Sequence, residues 1–155
     1  MEKLSEEIIS FLKNQSFMVV STVDPDSTPH SACKGLVDID SSGKIYLLDL
    51  YMGKTFENLK KNQHISITAV DEHKFKGYCL KGKARIIRAE YVSPKIIKAW
   101  EEKVTSRISQ RVIRNMKEEK GHARHPEAML PKPAYMIAMQ VQEIVDLTPH
   151  HISKS

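Results

Sequence analysis

The chain has 155 residues, of which 41% are hydrophobic and 28% charged, with a net charge of +5. This composition predicts one globular domain over residues 1–155 and argues against disorder or a small disulfide-held scaffold. Apolar runs such as FMVV and IYLL are far shorter than the ~20 residues of a membrane-spanning helix, and the basic residues are interleaved with acids, so we expect neither a membrane nor a nucleic-acid partner.

The first half of the chain predicts a helix followed by three strands. Ser5 is a suitable N-cap for a helix that extends to Asn14, and FMVVSTV follows as a strand that ends at the turn DPDSTP. Strict alternation in HSACKGLVDI places Val37 and Ile39 on one side of the next strand and Leu36 on the other. The turn DSSGK then leads into IYLLDL, which is apolar enough to be buried on both faces.

The second half predicts two helices and three more strands. A helix over about residues 53–62 precedes HISITAVD and YCLKGKARIIRA, two alternating strands that a turn connects. Ser93 and Pro94 begin a helical insertion over about 93–120, in which Trp100 has the spacing of a packing residue. A loop, GHARHPEAMLPKP, separates this helix from the closing strand AYMIAMQVQEIVDL.

This order of elements predicts a mainly β fold of the α+β class. Strands joined by tight turns and interrupted by two helices favour an antiparallel sheet or small barrel with helices outside. No glycine fingerprint of a dinucleotide fold follows the first strand.

The stretch YMGKTFENLKKN is the candidate binding motif. It opens a helix, and the first turn of a helix presents unpaired N–H groups and the positive end of the dipole. Gly53 permits close approach of a ligand, Lys54 adds a charge and Thr55 adds a hydroxyl. The residues of this stretch alone favour a simple helix start, in which Gly53 caps the turn, Thr55 caps the backbone and Lys54 is solvated.

Three segments together resemble the FMN-binding split-barrel family of pyridoxamine 5'-phosphate oxidase. They are FMVVSTVDPDSTPHSA, IYLLDLYMGKTFENLKKNQHISITAVD and GYCLKGKARII, of which the K-T-x-x-N-L helix start is the most specific. The resemblance implies a six-stranded antiparallel split barrel with flanking helices, which forms a homodimer with FMN at the subunit interface. It also implies three groups of FMN contacts: Lys54 and Thr55 at the phosphate; Ala32, Cys33, Lys34 and Gly35 at the isoalloxazine; and Asp49, Leu50 and Tyr51 as further contacts.

Two departures from the family pattern limit the activity that we expect. Relatives carry an arginine or another phosphate donor in the second strand, where this chain offers only His30 and Lys34. The tail DLTPHHISKS lacks the arginine and histidine motif that grips pyridoxal phosphate. We therefore do not expect true pyridoxamine phosphate oxidase activity.

The expected function is that of a cytoplasmic FMN-binding flavoprotein, an oxidoreductase that moves electrons or hydride to a small-molecule substrate. A noncatalytic FMN carrier or sensor, a deazaflavin-dependent reductase and a haem-binding relative remain alternatives. Cys33 and Cys79 are expected to be free thiols, and the loop histidines His122 and His125 lack the spacing of a metal site. The N-terminus, MEKLSEEIIS, has no secretory pattern.

Overall fold

Six antiparallel strands close into a barrel, which confirms the predicted α+β class. The computed structural model describes residues 3–49, 53–116 and 134–153. Its elements are α1 (Glu6–Lys13), β1 (Met18–Val23), β2 (Pro29–Ile39), β3 (Lys44–Leu48), α2 (Lys54–Lys61), β4 (His64–Asp71), β5 (Lys76–Arg88), a 3₁₀ turn (Ala89–Tyr91), α3 (Pro94–Met116), β6 (Tyr135–Asp146) and α4 (His150–Ser153). The strands follow the order β1-β2-β3-β6-β5-β4, and β4 pairs with β1 to close the barrel.

The predicted loop over 121–133 and the last residues of the predicted long helix lie outside the described residues. Helix α1 begins as its sequence predicts, because the Ser5 side chain accepts a hydrogen bond from the Ile8 amide at 3.3 Å. Its buried residues Ile8 and Leu12 join the barrel core. No helix in the described part of the chain is both long and apolar enough to cross a membrane.

The barrel interior is built from alternating apolar residues. Ile65, Ile67 and Ala69 of β4 are buried, as their spacing predicts. On β5 the interior residue is Leu80, which is fully buried, while Cys79 is only half-buried and both cysteines are free. The period of two therefore identifies the inner face of these strands correctly.

Strand β2 departs from the predicted strict alternation. Leu36 and Ile39 are both buried in the barrel core, although the sequence pattern places them on opposite faces. The pairing of β2 with β3 shifts register between Leu36 and Asp38, and such an irregularity turns the following residues to the other face. Val37 consequently packs outside the barrel, against the cluster under α3.

Helix α3 covers a second apolar cluster on the outside of the barrel. Trp100 is fully buried there, which confirms its predicted packing role, and Ile96 and Val104 lie beside it. The predicted apolar stripe does not stay buried along the whole helix, because Ile108 is 37% exposed. The N-terminal half of α3 therefore carries the packing, and Arg107 of its C-terminal half reaches Gly35 of β2.

Candidate functional site

The N-terminus of α2 is open and unoccupied by side-chain caps. Gly53 is the N-cap residue with extended backbone, and no side chain caps the helix. A Cβ added to Gly53 would meet no atom within 4 Å, so the space in front of the first turn is free among the described residues. The first-turn amides of Lys54, Thr55 and Phe56 have no intrahelical acceptor, because the first i to i−4 bond of this helix joins the Glu57 amide to the Gly53 carbonyl at 3.1 Å.

Thr55 has a buried hydroxyl at the start of α2. The residue is 2% exposed, and its Oγ1 has no hydrogen-bond partner among the residues that the structure describes. An unsatisfied polar group in the protein interior costs about 1–3 kcal/mol, so natural proteins keep few of them. A phosphate oxygen at this helix start would satisfy the hydroxyl and the free amides together, so these residues fit the phosphate end of FMN.

Lys54 is the exposed cation of the same helix start. Its side chain is 51% exposed and its Nζ lies 3.9 Å from Asp24 Oδ1. That carboxylate already accepts a hydrogen bond from Asn58 Nδ2 at 2.9 Å. An anion in front of the helix would compete with Asp24 for the Lys54 ammonium, and the loose pairing and exposure of Lys54 allow it to turn toward such a ligand.

Asn58 gives the K-T-x-x-N-L motif a structural role. It is 2% exposed, and its Nδ2 donates to both Thr22 Oγ1, at 3.0 Å, and Asp24 Oδ1. These bonds fasten α2 to the end of β1, and Leu59 packs into the barrel core. The second half of the motif therefore fixes the helix, and the first half is left free for a ligand.

A polar network joins the middle of β2 to the end of β3 and the start of β6. Asp49, with 3% exposure, accepts from Lys34 Nζ at 2.8 Å and from the Tyr135 hydroxyl at 2.7 Å. Burial raises the pKa of Tyr135 far above its ordinary value, and the hydrogen bond to Asp49 raises this pKa further. The Tyr135 ring also contacts Phe56 of α2 edge-on, with ring centroids 4.8 Å apart. The network therefore adjoins the helix that carries Thr55.

The predicted ring segment, residues 32–35, does not present one common face. Cys33 is exposed on the outer surface beside Val19, its partner in β1. Ala32 pairs with the fully buried Val20 and so lies toward the interior, as does Lys34. A flat ring can therefore contact the Cys33 side chain or the Ala32 side chain from one position, but not both.

Arg107 covers Gly35 from α3. A Cβ at position 35 would lie 2.7 Å from Arg107 Nη2, and the same guanidinium donates to the Ser16 carbonyl. The glycine thus permits the guanidinium to approach β2 closely. Sequence reasoning missed Arg107, because nothing in the local pattern of α3 shows that its C-terminal half reaches the predicted ring segment.

The structure brings some of the predicted site residues together and does not describe others. Lys34 and Asp49 form a partly buried ion pair, and Lys54 and Thr55 share the α2 N-terminus. Leu50 and Tyr51 lie outside the described residues. Tyr135 was also missed, and its only sequence signal is a tyrosine at the start of the closing strand, 86 residues from Asp49.

A family profile decides the relationship of this chain to known proteins. The profile described as pyridoxamine 5'-phosphate oxidase matches residues 4–131. The chain belongs to the pyridoxamine 5'-phosphate oxidase family. This confirms the resemblance that the K-T-x-x-N-L helix start indicates. Sequence comparison with curated proteins gives no match.

Solved structures of similar fold come from several bacteria. HupZ of Group A Streptococcus is 18% identical, with a TM-score of 0.63 over 94% of this chain and 95% of its own. General stress protein 26 of Bacillus anthracis is 16% identical, with a TM-score of 0.58 and 94% of each chain covered. HutZ, the heme storage protein of Vibrio cholerae, is 16% identical, with a TM-score of 0.54 over 92% of this chain and 94% of its own. At these identities the likeness establishes the shared split-barrel fold of the pyridoxamine 5'-phosphate oxidase family.

Proposed function

We propose that this member of the pyridoxamine 5'-phosphate oxidase family binds FMN and transfers electrons or hydride to a small-molecule substrate. One observation carries the proposal: the buried, unpartnered Thr55 hydroxyl beside the open N-terminus of α2. A phosphate monoester has acceptor oxygens on several sides, so it can take hydrogen bonds from the hydroxyl and the first-turn amides at once. Lys54 then supplies the charge that makes such contacts strong.

When bound, FMN supplies hydride and electron chemistry of its own, and the protein provides binding, orientation and local charge. One face of the segment 32–35 borders the ring in this proposal, and the Lys34–Asp49–Tyr135 network links β2 to the end of β3 and the start of β6 next to it. Arg107 adds a guanidinium over Gly35. A positive charge close to the flavin favours its reduced, negatively charged form, so Arg107 would raise the reduction potential.

The proposal includes a homodimer with FMN at the interface between subunits. The outer face of β1 and its neighbours supports it, because Phe17 is 58% exposed, Val70 is 57% exposed and Val19 is 37% exposed. The register that pairs Val19 with Thr68 brings Phe17 and Val70 toward each other, and Cys33 pairs with Val19 on the other side. We call these four residues the outer apolar patch. A contiguous exposed patch of this kind is typical of an interaction surface.

Flavin titration tests the binding step. Titration of FMN into the purified protein should give saturable quenching of flavin fluorescence at a stoichiometry of about one FMN per chain. Repeated turnover of a reduced pyridine nucleotide with a small electron acceptor would then support an oxidoreductase. FMN binding without turnover would favour a carrier or sensor.

The same purified protein can be used to distinguish FMN from haem and deazaflavin. HutZ has the same fold and is a heme storage protein, which makes haem the specific competitor for FMN. The described residues contain no cluster of three or more His, Cys, Asp or Glu side chains with metal-site geometry, although a haem requires only one axial ligand. The absorbance spectrum separates the three, and tight binding of haem with no FMN binding would contradict the proposal.

A further inference from the structure

A cationic depression lies on the outer surface of the barrel, where β3, β6 and β5 run side by side. Its volume is about 230 Å³, and its lining includes Lys44, Lys83, Arg85, Ala138 and Gln140. None of these residues belongs to the α2 N-terminus or to the Lys34–Asp49–Tyr135 network. We use the name cationic depression for these five residues.

Strand register brings the three cations together. Gln140 of β6 pairs with Lys44 on one side and with Lys83 on the other, and Arg85 is two residues beyond Lys83 on the same face. With strands about 4.8 Å apart and about 3.4 Å per residue, the three Cα atoms lie within roughly 12 Å of one another. Long flexible side chains at this spacing can direct their charged ends at one small ligand.

Ala138 explains why the surface is concave. It pairs with Arg85 on β5 and with Tyr46 on β3, so a short side chain lies between two long ones. Ala138 is only 5% exposed and forms the floor of the depression. Gln140 lies beside it, with its amide nitrogen bonded to the Ser42 carbonyl at 2.9 Å. The floor is therefore apolar and the rim polar and positive.

The three cations of the depression form no ion pair within the described part of the chain, and the one carboxylate that interacts electrostatically with Lys44 there, Asp40, does not line the depression. None of the lining residues carries a carboxylate. Lys81 of the same strand differs, because its Nζ lies 3.8 Å from Glu143. Unpaired like charges repel each other and attract anions, most strongly where the surface is concave.

We propose that the cationic depression is a second anion site, which binds a small, multiply charged phosphate compound such as a diphosphate. Three cations around a small concave surface suit a compact anion, whereas a nucleic-acid backbone requires a longer basic stripe. The site is independent of FMN, because it shares no residue with the α2 N-terminus.

Inorganic pyrophosphate is the probe for this site. Backbone amide NMR spectra recorded during a pyrophosphate titration should show saturable shifts at residues 83–85 and 138–140. In calorimetry the double variant Lys83→Ala, Arg85→Ala should bind pyrophosphate at least roughly tenfold more weakly, since two charge-assisted contacts are lost. Lys81→Ala is the matched control, and its affinity should stay unchanged.

Two results would overturn the second site. The first is the absence of saturable shifts at residues 83–85 and 138–140. The second is an unchanged pyrophosphate affinity in a folded double variant. The titration is performed in the Lys54→Ala background as well, so that pyrophosphate bound at α2 is not counted as binding at the depression. Weakened FMN binding in that background with retained pyrophosphate binding would separate this site from the proposed flavin site.

Discussion

Thr55 is the residue at which the stability of the ligand-free protein and the binding of a phosphate are most clearly opposed. Its burial without a partner destabilises the ligand-free protein, while the same hydroxyl is available to a phosphate. Thr22 is a useful contrast. It is 1% exposed, but its Oγ1 accepts a hydrogen bond from Asn58. Two buried threonines in one protein therefore differ in whether their hydroxyl is satisfied.

Thr55→Val should stabilise the ligand-free protein and weaken FMN binding. Valine keeps the shape of threonine and removes the unsatisfied hydroxyl, so we expect a gain of about 1 kcal/mol in the free energy of unfolding and a rise in Tm of about 2–4 °C. Thr22→Val should instead lower Tm, because it leaves Asn58 without one of its acceptors. Thermal unfolding without ligand measures both, and a lower Tm for Thr55→Val would contradict a buried unsatisfied hydroxyl.

Residue identity alone predicts only part of this site. Lys54 and Thr55 are visible in the sequence because a glycine, a lysine and a hydroxyl coincide with a helix start. Tyr135 and Arg107 are not visible, since their positions near Asp49 and Gly35 depend on contacts across the barrel. Long-range contacts of this kind leave no local pattern.

At the scale of elements, Asp49 ties three strands together. Its carboxylate follows β3, Lys34 belongs to β2 and Tyr135 begins β6. A buried carboxylate is stable only when hydrogen bonds replace its lost water, and here two donors do so. The network therefore holds β2, the end of β3 and the start of β6 together beside α2.

The raised pKa of Tyr135 should make the protein lose part of its stability at alkaline pH. Its raised pKa means that the folded protein keeps the phenol proton when the unfolded chain loses it, above the ordinary tyrosine pKa of about 10. The Tyr135 contribution is therefore complete below pH 10 and is lost as pH rises above it. Tyr135→Phe should cost about 1–3 kcal/mol at pH 7, through the lost bond to Asp49, and the difference from wild type should shrink above pH 10.

Urea unfolding of wild type and Tyr135→Phe at pH 8, 10 and 11 measures this difference. The two proteins share all other titrating groups, so the effects of those groups cancel in the difference. A gap between the two proteins that stays constant over this range would show that Tyr135 has no raised pKa.

Elements differ in how well the sequence predicts them. The first three helices and the six strands follow apolar periodicity and turn residues, so their order is predicted correctly, including the start of α2, whereas the short helix α4 lies in the segment predicted as a polar tail. The irregularity in β2 is not predicted, because it arises from pairing with β3 and not from the residues of β2 themselves. As a result the predicted facing of Ile39 relative to Leu36 is wrong, whereas residues 32–34 precede the irregularity and alternate regularly, so Cys33 faces away from its two chain neighbours.

At the scale of the whole molecule, the proposed dimer places the outer apolar patch between subunits. Val70→Lys puts a charge on an exposed patch residue and should shift the protein toward monomer, because a charge buried at an interface carries a large desolvation cost. Ile113→Lys on α3 is the control, since Ile113 is 52% exposed and lies outside the patch. Sedimentation velocity measures both, and a monomeric wild type, or a Val70→Lys protein as dimeric as wild type, would contradict the dimer.

The central claim is that α2 holds the FMN phosphate, and a comparison of FMN with riboflavin tests it directly. Riboflavin has the same ring without the phosphate. If Lys54→Ala removes a charge-assisted contact worth about 2 kcal/mol, FMN affinity should fall roughly thirtyfold, while the weaker riboflavin affinity should remain unchanged. Lys60→Ala, at the other end of α2 and equally exposed, should alter neither. Calorimetric titration of both ligands against the three proteins gives the result, and an FMN affinity unchanged in folded Lys54→Ala would contradict the account.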